Sequence, residues 1–188
     1  MKRILLIRHC HAPEQHIDSP LSKVGIKQSQ ALAHKLEELP FKINRIMSSP
    51  YLRAQESIKP FAESHQLTIE IDKRLEERIL SEEPVDDWME ILEESFQNLN
   101  FKLPGGESSM EAYTRGEQVL SECMDDQENE NIVIVTHGNL LALMLRRFQI
   151  DFGFQGWKML TNPDIFLIQK IGGEFISERI WDETINYD

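Results

Sequence analysis

Two arginines and two histidines in this chain are spaced as a site for an anion would need them. Arg8-His9 directly follows the apolar run Ile4–Ile7. Arg53 comes shortly after Ser48-Ser49-Pro50, and Thr136-His137-Gly138-Asn139 follows the β-branched run Ile132–Val135. Like charges repel: two guanidinium groups about 4 Å apart cost on the order of 4 kcal/mol at an effective dielectric of roughly 20. A fold bears that cost when an anion sits between them, and the guanidinium fork matches phosphate oxygens bidentately. A neutral histidine beside bound phosphate can attack phosphorus. The arginines would then neutralise charge on the equatorial oxygens as the transition state forms. The leaving alcohol needs a proton. The stretch Asp72–Arg78 offers Glu76 and Glu77 as donors, since partial burial and a neighbouring phosphate favour a protonated carboxyl. The arginines supply the positive charge, so this scheme calls for no metal and no cofactor.

The surrounding elements must bring these residues together. Ile4–Ile7 reads as a buried strand, followed by a polar loop to about Leu21. Ser22 precedes a helical pattern through Leu39, which Pro40 stops. Ile43–Met47 reads as a second strand. Ser49-Pro50 then predicts an N-cap and a first helical position, with a helix to Ser64. Leu67–Ile71 reads as a third strand and Pro84–Phe96 as an acidic amphipathic helix. Ser108 and Glu111 form a capping-box pattern that opens a helix to Met124. Ile132–Val135 predicts a central strand and Gly138–Phe148 a helix. Ile165–Ile171 and Glu174–Trp181, joined by Gly172-Gly173, predict a hairpin. Strands alternating with helices imply an α/β fold: three layers, a mainly parallel sheet flanked by helices on both faces. Ligands of open α/β sheets bind beyond the carboxyl ends of the strands. Arg8, His9, Arg53 and His137 all fall at such ends.

Composition narrows the function further. The 188 residues fit one domain, 1–188, with 40% hydrophobic and 28% charged residues. A net charge of −12, from 20 basic and 32 acidic residues, leaves no basic stripe for nucleic acid or anionic lipid. A small anionic substrate is compatible with it, because surface charge is screened beyond about 8 Å. No apolar run approaches the roughly 18 residues of a membrane span. Met1–Ile7 is too short and too soon interrupted for a signal peptide. Two cysteines, Cys10 and Cys123, give no disulfide framework, so a reduced cytoplasmic setting is expected. Oligomeric state is left open.

Taken in order, these segments resemble the histidine phosphatase superfamily, with its phosphoglycerate-mutase-like fold. Leu6-Ile7-Arg8-His9-Cys10 resembles the signature in which the histidine is phosphorylated. Ser48-Ser49-Pro50-Tyr51-Leu52-Arg53-Ala54 resembles the block that gives the second phosphate-binding arginine, Arg53. Arg74-Leu75-Glu76-Glu77-Arg78 resembles the block with the acid, which falls at Glu77, and Val135–Asn139 resembles the last block, in which His137 binds the phosphoryl group. Leu21–Gly25 and Gly105–Ser108 also fit in order. The resemblance implies that His9 takes the phosphoryl group and that Glu77 protonates the leaving alcohol, then activates water. It implies that Arg8, Arg53 and His137 hold the phosphoryl group. Gln15 falls where relatives often have a phosphate-contacting asparagine.

This sequence departs from the pattern at Cys10, where the family usually has a glycine that lets the backbone approach closely. It is also shorter than the glycolytic mutases. Residues 79–103 are expected to form a lid, and that stretch carries Glu82, Glu83, Asp86, Asp87, Glu90, Glu93 and Glu94. An acidic lid suits a second substrate phosphate poorly, which favours a phosphatase of small phosphorylated metabolites over a mutase. A phosphate-binding module without turnover is the alternative from another class. A cysteine phosphatase would need an arginine at position 16, where His16 stands. A zinc site from His9, Cys10, His11 and His16 lacks a second ligand pair at normal spacing.

Overall fold

The computed structural model describes residues 1–181. Six strands form one sheet in the order β3-β2-β4-β1-β5-β6. They are β1 (Arg3–Arg8), β2 (Arg45–Ser48), β3 (Ile69–Ile71), β4 (Asn131–Thr136), β5 (Asp164–Ile171) and β6 (Glu174–Arg179). The first four run parallel; β5 pairs antiparallel with β1, and β6 with β5. The helices are α1 (Lys23–Glu37), α2 (Leu52–His65), α3 (Trp88–Gln97), α4 (Ser109–Asp125), α5 (Gly138–Leu145) and α6 (Phe154–Lys158), with a 3-10 turn at Lys73–Leu75. None of them is long and apolar enough to cross a membrane.

Successive strand residues point to opposite faces, so one sheet serves two cores. Ile4, Leu6, Ile132, Ile134, Phe166 and Ile168 enter a cluster with Val119 and Leu120 of α4 and Leu140 of α5. Leu5, Ile7, Val133, Val135, Ile165 and Leu167 enter the other, with Leu32 and Leu36 of α1 and Ile58 and Phe61 of α2. Every residue of β4 is buried, as its unbroken β-branched run demands of a central parallel strand. The three-layer α/β expectation therefore holds.

Most element ends follow local chemistry. The Ser22 side chain accepts from the Gly25 N–H and starts α1, and Ser108 with Glu111 forms the full capping box of α4. The β5–β6 turn uses Gly172 and Gly173 at φ +61° and +95°, a left-handed pair that glycine alone adopts cheaply. Several helix boundaries differ from expectation. The second helix begins at Leu52 rather than Pro50, because the Ser49 hydroxyl accepts from the N–H of Tyr51, which is still extended. The fifth helix ends at Leu145, and α3 begins at Trp88. The short α6 was not expected at all: five residues with Gly156 inside carry no helical period.

Candidate active site

The carboxyl ends of β1, β2 and β4 meet at one rim, where the parallel register sets the chain exits side by side. Arg8 lies opposite Thr136, and Ser48 opposite Val135. One residue further on, the His9 N–H donates to the Thr136 carbonyl at 3.0 Å and the Ser49 N–H to the Val135 carbonyl at 3.0 Å. The His9 and His137 rings consequently meet edge to face, with centroids 5.0 Å apart.

His9 is buried, and both of its ring nitrogens have assigned work. Nδ1 lies 2.7 Å from the Cys10 carbonyl oxygen. A carbonyl only accepts, so Nδ1 carries the proton and Nε2 keeps its lone pair. Nε2 accepts from Arg53 Nε at 3.2 Å. Burial, reinforced by the charges of Arg53 and Arg8, pushes the His9 pKa down to about 3, with the Cys10 hydrogen bond opposing the shift. The ring is therefore neutral at physiological pH with Nε2 available as a nucleophile. Asn162 fixes the preceding peptide, His9–Cys10, by donating from Nδ2 to the His9 carbonyl at 2.7 Å.

Arg53, in the first turn of α2, is buried and donates from Nη1 to the carbonyls of Gln15 and His16 at 3.0 and 2.9 Å. Its guanidinium carbon lies 4.8 Å from the centre of the Tyr51 ring. Arg8 donates from Nη1 to the Leu160 carbonyl at 2.9 Å, while its buried Nε has no partner. Burial lowers the pKa of both arginines, and the carboxylate of Glu77 opposes the shift in both. Both remain cations, since arginine loses its proton only far above neutrality. A buried donor without an acceptor is unusual in a folded protein and points to a ligand atom.

His137 is completely buried; its Nε2 lies 2.7 Å from the Ser49 hydroxyl, and its Nδ1 has no partner. Burial holds its pKa well below the usual histidine range, with His9 and Arg53 adding to the shift. Glu77 reaches the same end of α5. One carboxylate oxygen accepts from the Leu140 N–H at 3.0 Å and from its neighbour Arg78 N–H at 2.8 Å. The other accepts from the Asn139 N–H at 3.0 Å. Glu77 thus occupies the positive end of the helix that follows His137. The segment carrying it is pinned by Thr136 Oγ1, which donates to the Leu75 carbonyl, and by Arg115 Nη1, which donates to the carbonyls of Arg74 and Glu76. Arg115 is itself held bidentately by Glu107 at 2.7 and 2.8 Å.

Arg8, His9, Arg53, His137 and Glu77 are thus brought together. Gln15 is not: its side chain is exposed and only its carbonyl meets Arg53. The residues of the zinc reading set aside above are dispersed. The Cys10 thiol is buried in the second core with its pKa pushed up to about 12 by desolvation, His11 bonds Ser22, and His16 pairs with Glu14. Among the described residues no group of three His, Cys, Asp or Glu side chains is arranged to hold a metal. Asn162 and Arg115 carried no sequence signal: Asn162 lies 153 residues from the peptide it fixes. On α3, Trp88 is exposed and lies edge-on to Trp157, whereas Phe96 is buried in the first core.

An α/β sheet with a basic, histidine-bearing rim defines the class of protein, and comparison with known proteins gives the family. The family model of the histidine phosphatase superfamily (branch 1) matches residues 4–176, and the chain belongs to that family. A curated relative from Yersinia pestis (strain Pestoides F), named "Probable phosphoglycerate mutase GpmB", is 26% identical over 162 residues, covering 77% of this chain and 74% of its own. The α-ribazole phosphatase from Shigella flexneri superposes with a TM-score of 0.76 at 21% identity, covering 98% of each chain. A mycobacterial glucosyl-3-phosphoglycerate phosphatase does so with a TM-score of 0.72 at 20% identity, covering 95% of this chain and 96% of that one.

Proposed function

We propose that this protein hydrolyses a small phosphomonoester through a covalent phosphohistidine on His9. The observation that carries this reading is the His9 ring: Nδ1 is tied to a main-chain carbonyl, and Nε2 is deprotonated beside Arg53. In the first step the Nε2 lone pair forms the N–P bond as the P–O ester bond breaks. The departing oxygen takes a proton from Glu77. Water then attacks phosphorus, giving its proton to Glu77, and the N–P bond electrons return to Nε2. The Arg8 and Arg53 guanidinium groups and His137 stabilise the equatorial oxygens in both steps. No step calls on a metal or cofactor, because the arginines neutralise the phosphoryl charge. Glu77 must be protonated at the outset while its oxygens also meet three backbone N–H groups. One oxygen accepts two of these bonds and is filled; the other, which accepts only from Asn139, retains a lone-pair direction for that proton. If Glu77 is the acid, Glu77→Gln slows alkyl phosphates by about 10²-fold and nitrophenyl phosphate far less. Equal losses across leaving groups would remove Glu77 from that role.

Residues 79–103 serve in this reading as the lid, with α3 at its centre. Glu82, Glu83, Asp86, Asp87, Glu90 and Glu94 are exposed there, which disfavours a substrate with a second phosphate. The substrate class is a singly phosphorylated metabolite, and nucleic acid and membranes are not partners. The reaction belongs in the cytoplasm, where the two buried thiols stay reduced. A mutase is the second reading, favoured by the 26% identity to the Yersinia relative. The deciding experiment is hydrolysis of an aryl phosphate in excess chelator, by wild type and by His9→Ala. Turnover that survives the chelator and vanishes in the variant supports the phosphatase. No hydrolysis, together with bisphosphate-stimulated transfer between positions of a phosphoglycerate, would replace it with the mutase.

A further inference from the structure

The hydrogen-bond arithmetic around Ser49 says something that the phosphohistidine scheme leaves open. Ser49 is fully buried. Its hydroxyl oxygen accepts from the Tyr51 N–H at 3.2 Å and lies 2.7 Å from His137 Nε2. A backbone N–H cannot accept, so His137 Nε2 is the one acceptor in contact with the hydroxyl proton. If Ser49 donates, Nε2 is unprotonated and the imidazole proton sits on Nδ1. If Nε2 donated instead, the buried hydroxyl proton would have no acceptor and Nδ1 would be a bare acceptor beside the guanidinium-rich rim. The first arrangement leaves one unpaired group, the second leaves two, and buried polar groups are paired wherever the fold permits. In the first arrangement the unpaired group is a donor. A second unpaired donor, the buried Nε of Arg8, lies against Gly138, the residue that follows His137, 3.0 Å from where a Cβ on it would be. Two orphaned donors near one another await an acceptor-rich ligand.

We propose that Ser49 is a positioning residue that holds His137 in its Nδ1–H form, so that a neutral imidazole presents a donor to the phosphoryl oxygens. This rests on the phosphate-binding part of the function proposed above and extends it to a group outside the reacting set. The ring also meets Tyr51 edge to face at 4.7 Å and His9 at 5.0 Å, so its plane is fixed by packing while its proton is fixed by Ser49. The Nδ1–H form at His137 complements the ring at His9, where the same tautomer frees Nε2 for attack. One histidine gives a lone pair and its neighbour gives a proton.

The experiment is nitrogen NMR of the full chain labelled in histidine, at neutral pH, first free and then titrated with inorganic phosphate. The His137 signals are expected to show a protonated Nδ1 and a pyridine-like Nε2. Ser49→Ala is expected to shift His137 towards a tautomer mixture and to weaken phosphate binding by about tenfold. Ser49→Thr, which keeps the hydroxyl, is expected to retain both properties. A protonated Nε2 in the wild type overturns the proposal. So does Ser49→Ala with an unchanged tautomer and unchanged phosphate affinity. Should Ser49→Ala fail to fold, the wild-type and Ser49→Thr spectra decide alone. Phosphate binding with the expected tautomer but no phosphoenzyme would sink the phosphatase and leave Ser49 in its role.

Discussion

His9 and His137 are near twins by position and differ in how they are held. Each follows the last residue of a parallel strand, the strands are neighbours, and both rings are buried and neutral. His9 is anchored by a main-chain carbonyl, at Cys10. His137 is anchored by a side-chain hydroxyl, at Ser49. A main-chain anchor persists whatever residue supplies it, whereas a side-chain anchor is lost with one substitution. The difference explains how a chain can depart from its family at Cys10 and keep the geometry of its first histidine.

The largest expected effect separates the two roles. His9→Ala removes the nucleophile and lowers turnover by about 10⁴-fold or more, with no acid-labile phosphoenzyme in a quenched single turnover. His137→Ala removes one donor to the transition state and costs about 10²–10³-fold, with phosphoenzyme still formed. Equal losses, or phosphoenzyme surviving in His9→Ala, would dissolve the distinction between lone-pair giver and proton giver.

The shared neutrality of the pair makes a pH prediction. An unfolded histidine titrates near 6.5, whereas the folded His9 does so at about 3. Between those values the unfolded chain binds a proton that the native site refuses. Stability is therefore full above about pH 6.5 and is lost as pH falls towards 3, by up to about 1.4 kcal/mol per pH unit for this ring. His137 contributes in the same direction. Urea midpoints at pH 7, 6 and 5 should fall more steeply in the wild type than in His9→Gln. Parallel slopes would mean that His9 is protonated in the native state.

Gly138 probes the donor side of the site alone. A Cβ there would lie 3.0 Å from Arg8 Nε and 3.1 Å from its guanidinium carbon. Gly138→Ala should push the guanidinium aside and weaken inorganic phosphate binding by about tenfold, one bidentate contact's share. Alanine also favours a helix over glycine, by up to about 1 kcal/mol, so thermal stability should not fall. Affinity lost without stability lost is the signature; unchanged affinity would show that Arg8 yields freely.

How much of this was readable in the sequence follows from how local each interaction is. The strands β1 and β4 were legible because their burial on both faces leaves continuous apolar runs, and α4 because its capping box is local. Arg8, His9, Arg53 and His137 are legible from their positions at strand ends alone, whereas the choice of Glu77 over Glu76 rests on the family resemblance. What the sequence hid is long-range or main-chain chemistry. Asn162 and Arg115 act on peptides far away in the chain, and Gln15 contributes a carbonyl that any residue would supply. The late start of α2 has a local cause that the sequence pattern does not show: the Ser49 hydroxyl accepts from the Tyr51 N–H, two residues on, while Tyr51 is still extended, so the helix opens only at Leu52.

The smallest expected effect tests the main-chain anchor itself. Cys10→Gly restores the residue usual in the family and removes a thiol with no exposed surface from the second core. Lost packing and added backbone freedom should cost about 1–3 kcal/mol of stability. The Cys10 N–H still donates to the Ser57 hydroxyl in the variant, and the carbonyl still accepts from His9 Nδ1, because both belong to the peptide backbone. Turnover and phosphoenzyme yield should therefore stay at wild-type level below the lowered melting temperature. If turnover falls while the fold holds, the Cys10 side chain shapes the His9 ring directly, and the two histidines are anchored more alike than their hydrogen bonds imply.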